Sequence, residues 1–473
     1  MSIDKAICLT VALALAGCST TSPMLKPSVT AAGAWNEAAP ANGAAVSADW
    51  WSTFGSAELK QLVSEALAGS PDLAIATERV RQAEAQVRVA GASLFPTIDL
   101  GLGTSSRSAS DNRGSTTTNA TSATLSASYE LDLWGKNRAG VRSAQSSLQA
   151  TAYDRDAARL TLISGVATSY FETLSLRGRL AVGRENLAIA ERVRDLVAAR
   201  VRNGANSALD LARQEATVLT QRAALLPLEQ QERQTLAALA VLIGRVPEGF
   251  DVKATGLADL SVPAINPGLP AELLVRRPDL ASAEAQLAAS NADLAAARAA
   301  LLPSIQLTGS AGTASAALLS FASGGTSTIG IALALLQPIF DGGRLRGQKS
   351  IAESRERELV EAYRKTILAA FKDVEDALVA ASRQSQQETL QQQVQAQARE
   401  ALRLAEIRYR EGVDDLLTVL DAQRTLFNAQ DQLAQLRLNR LGAAVSLYKA
   451  LGGGWNAGSA EIVGSAGKLD KQL

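Results

Sequence analysis

The chain has 473 residues, its 47 basic residues are balanced by 47 acidic ones, and it contains two cysteines and no histidine. The balanced charge argues against a nucleic-acid partner, because phosphate backbones are bound by clustered basic surfaces. The lack of histidine excludes histidine-based metal sites and catalytic triads, so no cofactor or metal is expected. Both cysteines lie within the first eighteen residues, which excludes a disulfide framework in the rest of the chain.

The chain begins with an export signal. Lys5 precedes an apolar run from Ala6 to Ala16, which is too short to span a bilayer. The residues Leu15-Ala16-Gly17-Cys18 resemble a bacterial lipobox, and the alternative is an ordinary signal with a cysteine there by chance. The lipobox interpretation predicts a signal peptide at 1–17, acylation of Cys18 and, with Ser19 next, sorting to the outer membrane. No apolar stretch of 18 residues follows residue 20, so any further membrane contact must be made by strands.

Much of the chain repeats itself at a nearly constant spacing. SPDL at Ser70 matches RPDL at Arg277 (277 − 70 = 207), and Gly204 matches Gly412 (412 − 204 = 208). This constancy indicates a duplicated structural unit. The predicted division is an N-terminal segment at 18–69, a first repeat at 70–247, a linker at 248–276, a second repeat at 277–455 and a flexible C-terminal tail at 456–473.

Each repeat begins with a helix and a β-hairpin. The helices are predicted at 72–94 and 279–302, because Pro96 and Pro303 cannot continue a helix. Apolar and polar residues then alternate in two strands on either side of a polar loop, SASDNRGSTTTNAT in the first repeat. The second strand, at 123–133, has the length of a strand in a membrane barrel. A soluble sandwich is the alternative, but four strands without a second sheet would leave their apolar face uncovered.

After each hairpin, the helical pattern continues without proline for nearly seventy residues, up to Gly204 and Gly412. At 1.5 Å per residue each helix would be roughly 100 Å long, which favours an extended bundle over a compact core. The two glycines turn the chain, and a second helix returns. In the second repeat its apolar residues recur every seven positions from Leu420 to Tyr448, as in a coiled coil. In the first repeat Pro227 is expected to kink the returning helix.

Several motifs carry a resemblance to a known family. They are ADWWSTFGSAELKQLVSEAL from Ala48, YELDLWGKNR, PIFDGGRLR, RYREGVDDLLTVLDAQR and LYKALGGGW. Together with the lipobox and the paired glycine turns, they resemble the TolC family of outer-membrane factors, in its lipoprotein branch of NodT-type and OprM-like multidrug efflux channels. The resemblance covers nearly the whole chain.

The resemblance implies an α+β membrane protein that assembles as a homotrimer. Each chain would give four strands to a twelve-stranded outer-membrane β-barrel, which a long α-helical coiled-coil barrel continues into the periplasm. The segment at 18–69 would carry an equatorial helix, and 248–276 would be an equatorial linker. The strand count also predicts an oligomer, because four strands cannot close a barrel and an open edge in lipid leaves backbone groups unpaired.

The implied function is the passive exit duct of a tripartite efflux system, held in outer-membrane lipid. Small molecules such as drugs and toxic compounds would pass from an inner-membrane efflux pump and a periplasmic adaptor to the exterior. The chain has no GxxxxGK[ST] motif, so a partner must supply the energy. A duct for type I protein secretion and a non-conducting structural envelope lipoprotein stay open as alternatives. An enzyme is the weakest hypothesis, since Asp414 and Asp415 have no histidine, cysteine or metal cluster to work with.

The resemblance also implies a periplasmic gate. Leu417, Asp421 and Arg424 would narrow the mouth of the duct, and their spacing of four and three residues places them on one helix face. The first repeat carries Leu209 and Arg213 at the positions of Leu417 and Asp421. The alternative is an ordinary surface ion pair between Asp421 and Arg424.

The two helix turns are candidates for contact with the adaptor. Their glycines are expected to adopt conformations that are costly for other residues. The alternative is that these residues only form the turns. The candidates are Arg202, Gly204, Asn206, Ser207, Arg410, Gly412, Val413 and Asp414.

Overall fold

A computed structural model of the chain describes residues 23–30, 32–37, 43–111, 114–315 and 326–456. The predicted signal peptide at 1–17, Cys18 and the predicted tail beyond Asn456 lie outside these residues. None of the described helices combines enough length with enough apolar sequence to cross a membrane.

The first half of the chain begins with two helices and a hairpin. Helices α1, at Ala57–Gly69, and α2, at Pro71–Ala92, lead into strands β1, at Thr97–Asp111, and β2, at Gly114–Leu131. Helix α3 then covers Lys136–Arg202, and helix α4 covers Ala208–Leu242. Pro227 lies inside α4, which continues beyond it.

The second half has the same order of elements. A short helix α5, at Leu273–Arg276, precedes α6, at Pro278–Ala299, β3, at Ser304–Ser315, and β4, at Thr326–Leu336. Helices α7, at Arg344–Arg410, and α8, at Leu416–Ala450, follow. Corresponding helices have equal lengths: 22 residues for α2 and α6, 67 for α3 and α7, and 35 for α4 and α8.

Helices α2 and α6 end two and three residues earlier than predicted, at Ala92 and Ala299. After α2, the backbone N–H groups of Ser93, Leu94 and Phe95 donate to carbonyls three residues earlier, at 3.1 to 3.2 Å. Such bonds tighten the last turn beyond the α-helical pattern. The proline that follows restricts Phe95 to extended geometry, so the helix cannot be prolonged to reach it.

The four strands form one antiparallel sheet in the order β1-β2-β3-β4. Its two faces differ, as the alternating sequence predicts. Leu307 lies opposite Leu333 on one face, whereas Thr308 lies opposite Ala332 on the other. The apolar face is uncovered within the described part of the chain, where Ile331 is 82% and Leu333 is 68% exposed.

The prediction of a polar loop in the first hairpin is wrong. Strands β1 and β2 stay paired through this segment, up to Asp111 opposite Gly114, so β2 begins at Gly114 rather than at 123. The hydroxyl oxygens of Ser108 and Thr117 lie 2.9 Å apart across the two strands. Threonine is β-branched and favours extended backbone, and hydroxyl pairs stabilise neighbouring strands, so a polar sequence forms a strand here.

The chain divides into two compact units. The first includes the sheet, with the described residues of Arg79–Ala152 and Ser282–Arg364, and the second includes the described residues of Val29–Glu78, Tyr153–Ala281 and the chain from Lys365 to Asn456. In the second unit the Trp50 ring stacks on Tyr448 at 4.9 Å between centroids. Phe54 packs on Phe171 at 5.0 Å. These contacts fasten the residues before α1 to α3 and α8.

The returning helix α8 buries the face that the seven-residue pattern predicts. Phe427, Leu441 and Tyr448 are buried on it. The helix also buries two glutamines, Gln423 and Gln430, at 1% and 4% exposure. The apolar pattern gave no indication of these two amides.

Candidate functional site

The two turns between the long helices have the same backbone geometry. Gly204 and Gly412 adopt the left-handed conformation, with φ of 71° and 76°. Ala205 and Val413, which follow them, donate their backbone N–H groups to carbonyls five residues earlier, at 2.8 and 2.9 Å. This is the Schellman ending of an α-helix, in which a residue with a side chain would be strained at the glycine position. The expectation about the two glycines is therefore confirmed.

Side chains in each turn cap the helix that follows. The Ser207 hydroxyl accepts from the Asp210 backbone N–H at 3.2 Å, and the Asp210 carboxylate accepts from the Ser207 backbone N–H at 3.1 Å. This reciprocal pair is a capping box. The hydrogen bonds from Ser207, backbone first and hydroxyl second, hold the pKa of Asp210 below its usual value. At the second turn the Asp415 carboxylate accepts from the Thr418 backbone N–H at 3.1 Å.

Two arginines hold the turns in place. The Arg200 guanidinium donates to the backbone carbonyl of Tyr409 and lies over its ring, 4.7 Å from the centroid. This cation–π contact links the first turn to the second. Arg408 donates twice to the Asp414 carboxylate, at 2.6 and 3.0 Å. These hydrogen bonds lower the pKa of Asp414.

Neither arginine was among the residues predicted from the sequence. The repeat spacing was the signal that identifies them, since Arg200 and Arg408 lie at the same interval as the glycines (408 − 200 = 208). Below the turns, buried apolar residues of α3, α7 and α8 form one cluster, which includes Val197, Leu402 and Val419. The same apolar cluster therefore supports both turns.

The structure divides the eight candidate adaptor residues into two groups. Asn206, Ser207 and Asp414 form hydrogen bonds within the turns, and the two glycines set the backbone. Arg202, Arg410 and Val413 instead present exposed side chains. Val413 is the largest apolar group there, at 63% exposure. These three side chains are the ones that a partner can reach without breaking the turns.

The five candidate gate residues lie within the first three turns of α4 and α8. Leu417 is 61% and Leu209 is 58% exposed, and Arg213 is also exposed. Arg424 donates to Asp421 at 2.6 Å within α8. In one chain this is an exposed pair, with side chains 76% and 63% accessible. A pair of this kind contributes only about 0 to 1 kcal/mol, so it does little for the fold.

The described residues hold no group of three or more acidic or cysteine side chains that can bind a metal ion. The geometry instead consists of long helix pairs that turn at Schellman motifs and a sheet with an uncovered apolar face. These are features of an outer-membrane channel.

Comparison with known proteins leads to the same class of protein. The family model described as outer membrane efflux protein matches residues 62–245 and 269–453. The pyoverdine export outer membrane protein OpmQ of Pseudomonas aeruginosa is 43% identical over 472 residues, which cover 97% of this chain and 98% of that protein. OpmQ of Pseudomonas putida is 42% identical over 469 residues, covering 97% and 99%. The solved structure of the outer-membrane channel OprN has a TM-score of 0.85 and 26% identity, and the match covers 92% of this chain and 99% of that one.

The chain belongs to the outer membrane efflux protein family. It is an outer-membrane component of an efflux system, as the motifs in its sequence predict. The relatives are efflux proteins rather than enzymes, which agrees with the expectation that this chain is not an enzyme.

Proposed function

We propose that three copies of this chain form the exit duct of a tripartite efflux system. Four strands from each copy close a twelve-stranded barrel in the outer membrane, and the long helices form a tube in the periplasm. The duct passes small molecules passively. An inner-membrane pump, coupled through a periplasmic adaptor, supplies the energy.

The observation that carries the proposal is the incomplete sheet. In the described part of the chain β1 and β4 each pair with one neighbour only, and they are 15 and 11 residues long. An open edge in lipid leaves a row of backbone groups unpaired, each at a cost of several kcal/mol. Pairing β1 of one copy with β4 of the next removes every edge, and it turns the apolar face toward lipid.

We also infer an internal duplication, with repeats at 70–247 and 277–455. The equal helix lengths and the two separate matches of the family model support it. Two similar helix pairs in each of three copies would give the tube wall six similar segments. The linker at 248–276 then joins the two repeats within a copy.

A small molecule is the proposed cargo. The OpmQ relatives are named for pyoverdine export, so pyoverdine is the first compound to test. In this proposal the cargo enters through the mouth that Leu417, Asp421 and Arg424 narrow, with Leu209 and Arg213 on the neighbouring helix. A single ion pair is weak, but three symmetric copies act on one opening.

Acylation of Cys18 is part of the same proposal. A single acyl chain binds a membrane only reversibly, so stable attachment needs more than one acyl chain or a second membrane contact, which the strands would provide. Palmitate labelling of cells tests it. The label is expected on the parent protein and not on Cys18→Ser, and undiminished label on the variant contradicts the assignment.

One experiment in intact cells tests whether the helix turns contact an adaptor. A cysteine placed at Val413 exposes a thiol on the second turn without altering the capping bonds. Crosslinking in intact cells is expected to capture a periplasmic adaptor from this position. A cysteine at Val246, which is 72% exposed and lies outside the turns, is the matched control. Capture of the same proteins from both positions, or of none from Val413, argues against the adaptor contact.

A further inference from the structure

The end of the sheet from which the long helices leave carries large apolar side chains on its surface. Strands β2 and β4 both end there, and α3 and α7 begin shortly afterwards. After β4, Ile339 and Phe340 are each 91% exposed, more than any other large apolar residue of the described chain. They follow a strand whose apolar face is itself uncovered. Exposed apolar surface of this kind marks a place that meets a membrane or another protein.

The same end of the sheet carries an excess of positive charge. The chain around the two strand ends holds five basic residues against three acidic ones, which are Lys136, Arg138, Arg142, Arg344 and Arg346 against Glu130, Asp132 and Asp341. Each of the three carboxylates is already engaged. Glu130 accepts from Lys136 at 2.7 Å. Asp132 and Asp341 each accept from two backbone N–H groups at the starts of α3 and α7, at 2.9 to 3.0 Å.

Three of the arginines are left without an acidic partner. Arg142, Arg344 and Arg346 are exposed and form no ion pair within the described chain. Arg344 and Arg346 lie in the first turn of α7, which contains no acidic residue. A basic side chain there opposes the helix dipole, so these two arginines do not serve the stability of their own helix. A conflict of this kind between sequence and local preference is typical of functional positions.

A cavity of about 200 Å³ joins the two strand ends. Trp134 and Leu336 give it apolar walls, and Lys136 and Arg344 give it basic ones. The Trp134 ring is held in place, because its Nε1 donates to the Pro303 carbonyl at 2.6 Å. The cavity is smaller than the roughly 300 Å³ at which sites for whole small molecules begin. It therefore suits one part of a larger molecule, and the exposed apolar residues nearby suit the rest.

We propose that this end of the sheet binds the phosphate group of anionic phospholipids in the periplasmic leaflet of the outer membrane. The inference rests on the proposed insertion of the sheet into lipid. Guanidinium groups bind phosphate with paired, charge-assisted hydrogen bonds, which Arg344 and Arg346 would supply. Ile339 and Phe340 would lie at the boundary between headgroups and acyl chains, where aromatic rings are enriched. A zwitterionic lipid carries the same phosphate together with a cation that the arginines repel, so the anionic lipid is preferred.

Quenching of tryptophan fluorescence by brominated lipids tests the proposal, with the full-length protein in phosphatidylcholine vesicles. Trp134 is the reporter, because it lines the cavity and the other four tryptophans lie in the second compact unit. Its signal is the part that Trp134→Phe removes. Brominated phosphatidylglycerol is compared with brominated phosphatidylcholine at equal mole fraction. The parent protein is expected to prefer the phosphatidylglycerol about fivefold or more, which is the effect of one basic residue near an anionic surface.

The double variant Arg344→Gln, Arg346→Gln is expected to lose this preference. Its quenching by brominated phosphatidylcholine is expected to stay at the level of the parent, which shows that the variant still inserts. Arg399→Gln is the matched control, because Arg399 is another exposed arginine of α7 without an ion pair in the described chain. This variant is expected to keep the full preference.

The outcomes separate this proposal from the duct. Equal quenching of the parent by the two lipids, or an undiminished preference in the double variant, overturns the phosphate site and leaves the duct standing. A Trp134 that neither lipid quenches contradicts insertion of the sheet, and both proposals fall. If inorganic phosphate abolishes the preference and sodium chloride of equal ionic strength does not, the site takes free phosphate, and the lipid assignment is wrong.

Discussion

At the scale of single residues, the turns depend on two glycines whose backbone excludes other side chains. Gly412→Ala is expected to destabilise the second turn by about 1 to 2 kcal/mol, because the left-handed conformation brings a Cβ too close to the next carbonyl. Hydrogen exchange of a peptide spanning residues 408–418 measures this opening, which should become faster.

Gly442, in the interior of α8, is the control for that substitution. A Cβ built there meets nothing within 4 Å, and the residue is not among those with positive φ. Gly442→Ala is expected to stabilise the helix by about 0.5 to 1 kcal/mol. If the two variants change exchange at residues 408–418 in the same way, strain at Gly412 is not what shapes the turn.

The carboxylates of the turns should make them sensitive to acid. The pKa values of Asp210 and Asp414 are lowered from the ordinary 3.8, so their stabilising bonds are complete above that value and are lost as the pH falls through the lower, folded-state pKa. Pepsin cleavage near both turns is therefore expected to increase below about pH 4.

Ser207→Ala separates the two turns in this experiment. It removes the hydroxyl that helps to lower the pKa of Asp210, and nothing in the second turn. Cleavage at the first turn should begin at a higher pH, while the second turn serves as an internal reference. An unchanged difference between the turns contradicts the role of the capping box.

At the scale of elements, the sheet offers a test of which face meets lipid. Leu333 and Ala332 are neighbours on β4 and point to opposite faces. An arginine on the lipid face near the middle of a membrane costs about 2 to 4 kcal/mol. Leu333→Arg is therefore expected to reduce insertion into lipid vesicles strongly, and Ala332→Arg to reduce it little. Equal insertion of the two variants contradicts the proposed orientation.

The element order was predictable because prolines, glycines and hydrophobic period are local signals. Pro96 and Pro303 separate helix from strand, and the proline-free stretches correspond to the 67-residue helices. The first hairpin was mispredicted because a run of Ser and Thr looks like a loop in sequence. Only the partner strand, which places Thr117 opposite Ser108, shows that it is extended.

The helix turns of the candidate site were likewise predictable only in part. Gly204 and Gly412 follow from the repeat, but the contact of Arg200 with Tyr409 joins residues 209 positions apart, which sequence order does not reveal. The burial of Gln423 was not predicted, for another reason. A glutamine in a helix normally faces water, and its burial here depends on how α8 packs against its neighbours.

At the scale of the whole molecule, the proposed gate predicts a change in conduction rather than in stability. Replacing both Asp421 and Arg424 with alanine removes an exposed pair that contributes little to the fold. We expect single-channel conductance to increase and cells to become more sensitive to large antibiotics. Glu400 and Arg403 form a similar exposed pair on α7, at 2.6 Å. Their double alanine variant is expected to behave like the parent.

The central claim is that this chain assembles into a duct through the outer membrane. Single-channel recording in planar lipid bilayers tests it most directly, with full-length protein purified in detergent. The account predicts discrete conductance steps from the parent protein, and larger steps from the Asp421→Ala, Arg424→Ala double variant. Protein that inserts into the bilayer but gives no conductance steps, in either the parent or the double variant, contradicts the duct and favours a structural role in the envelope.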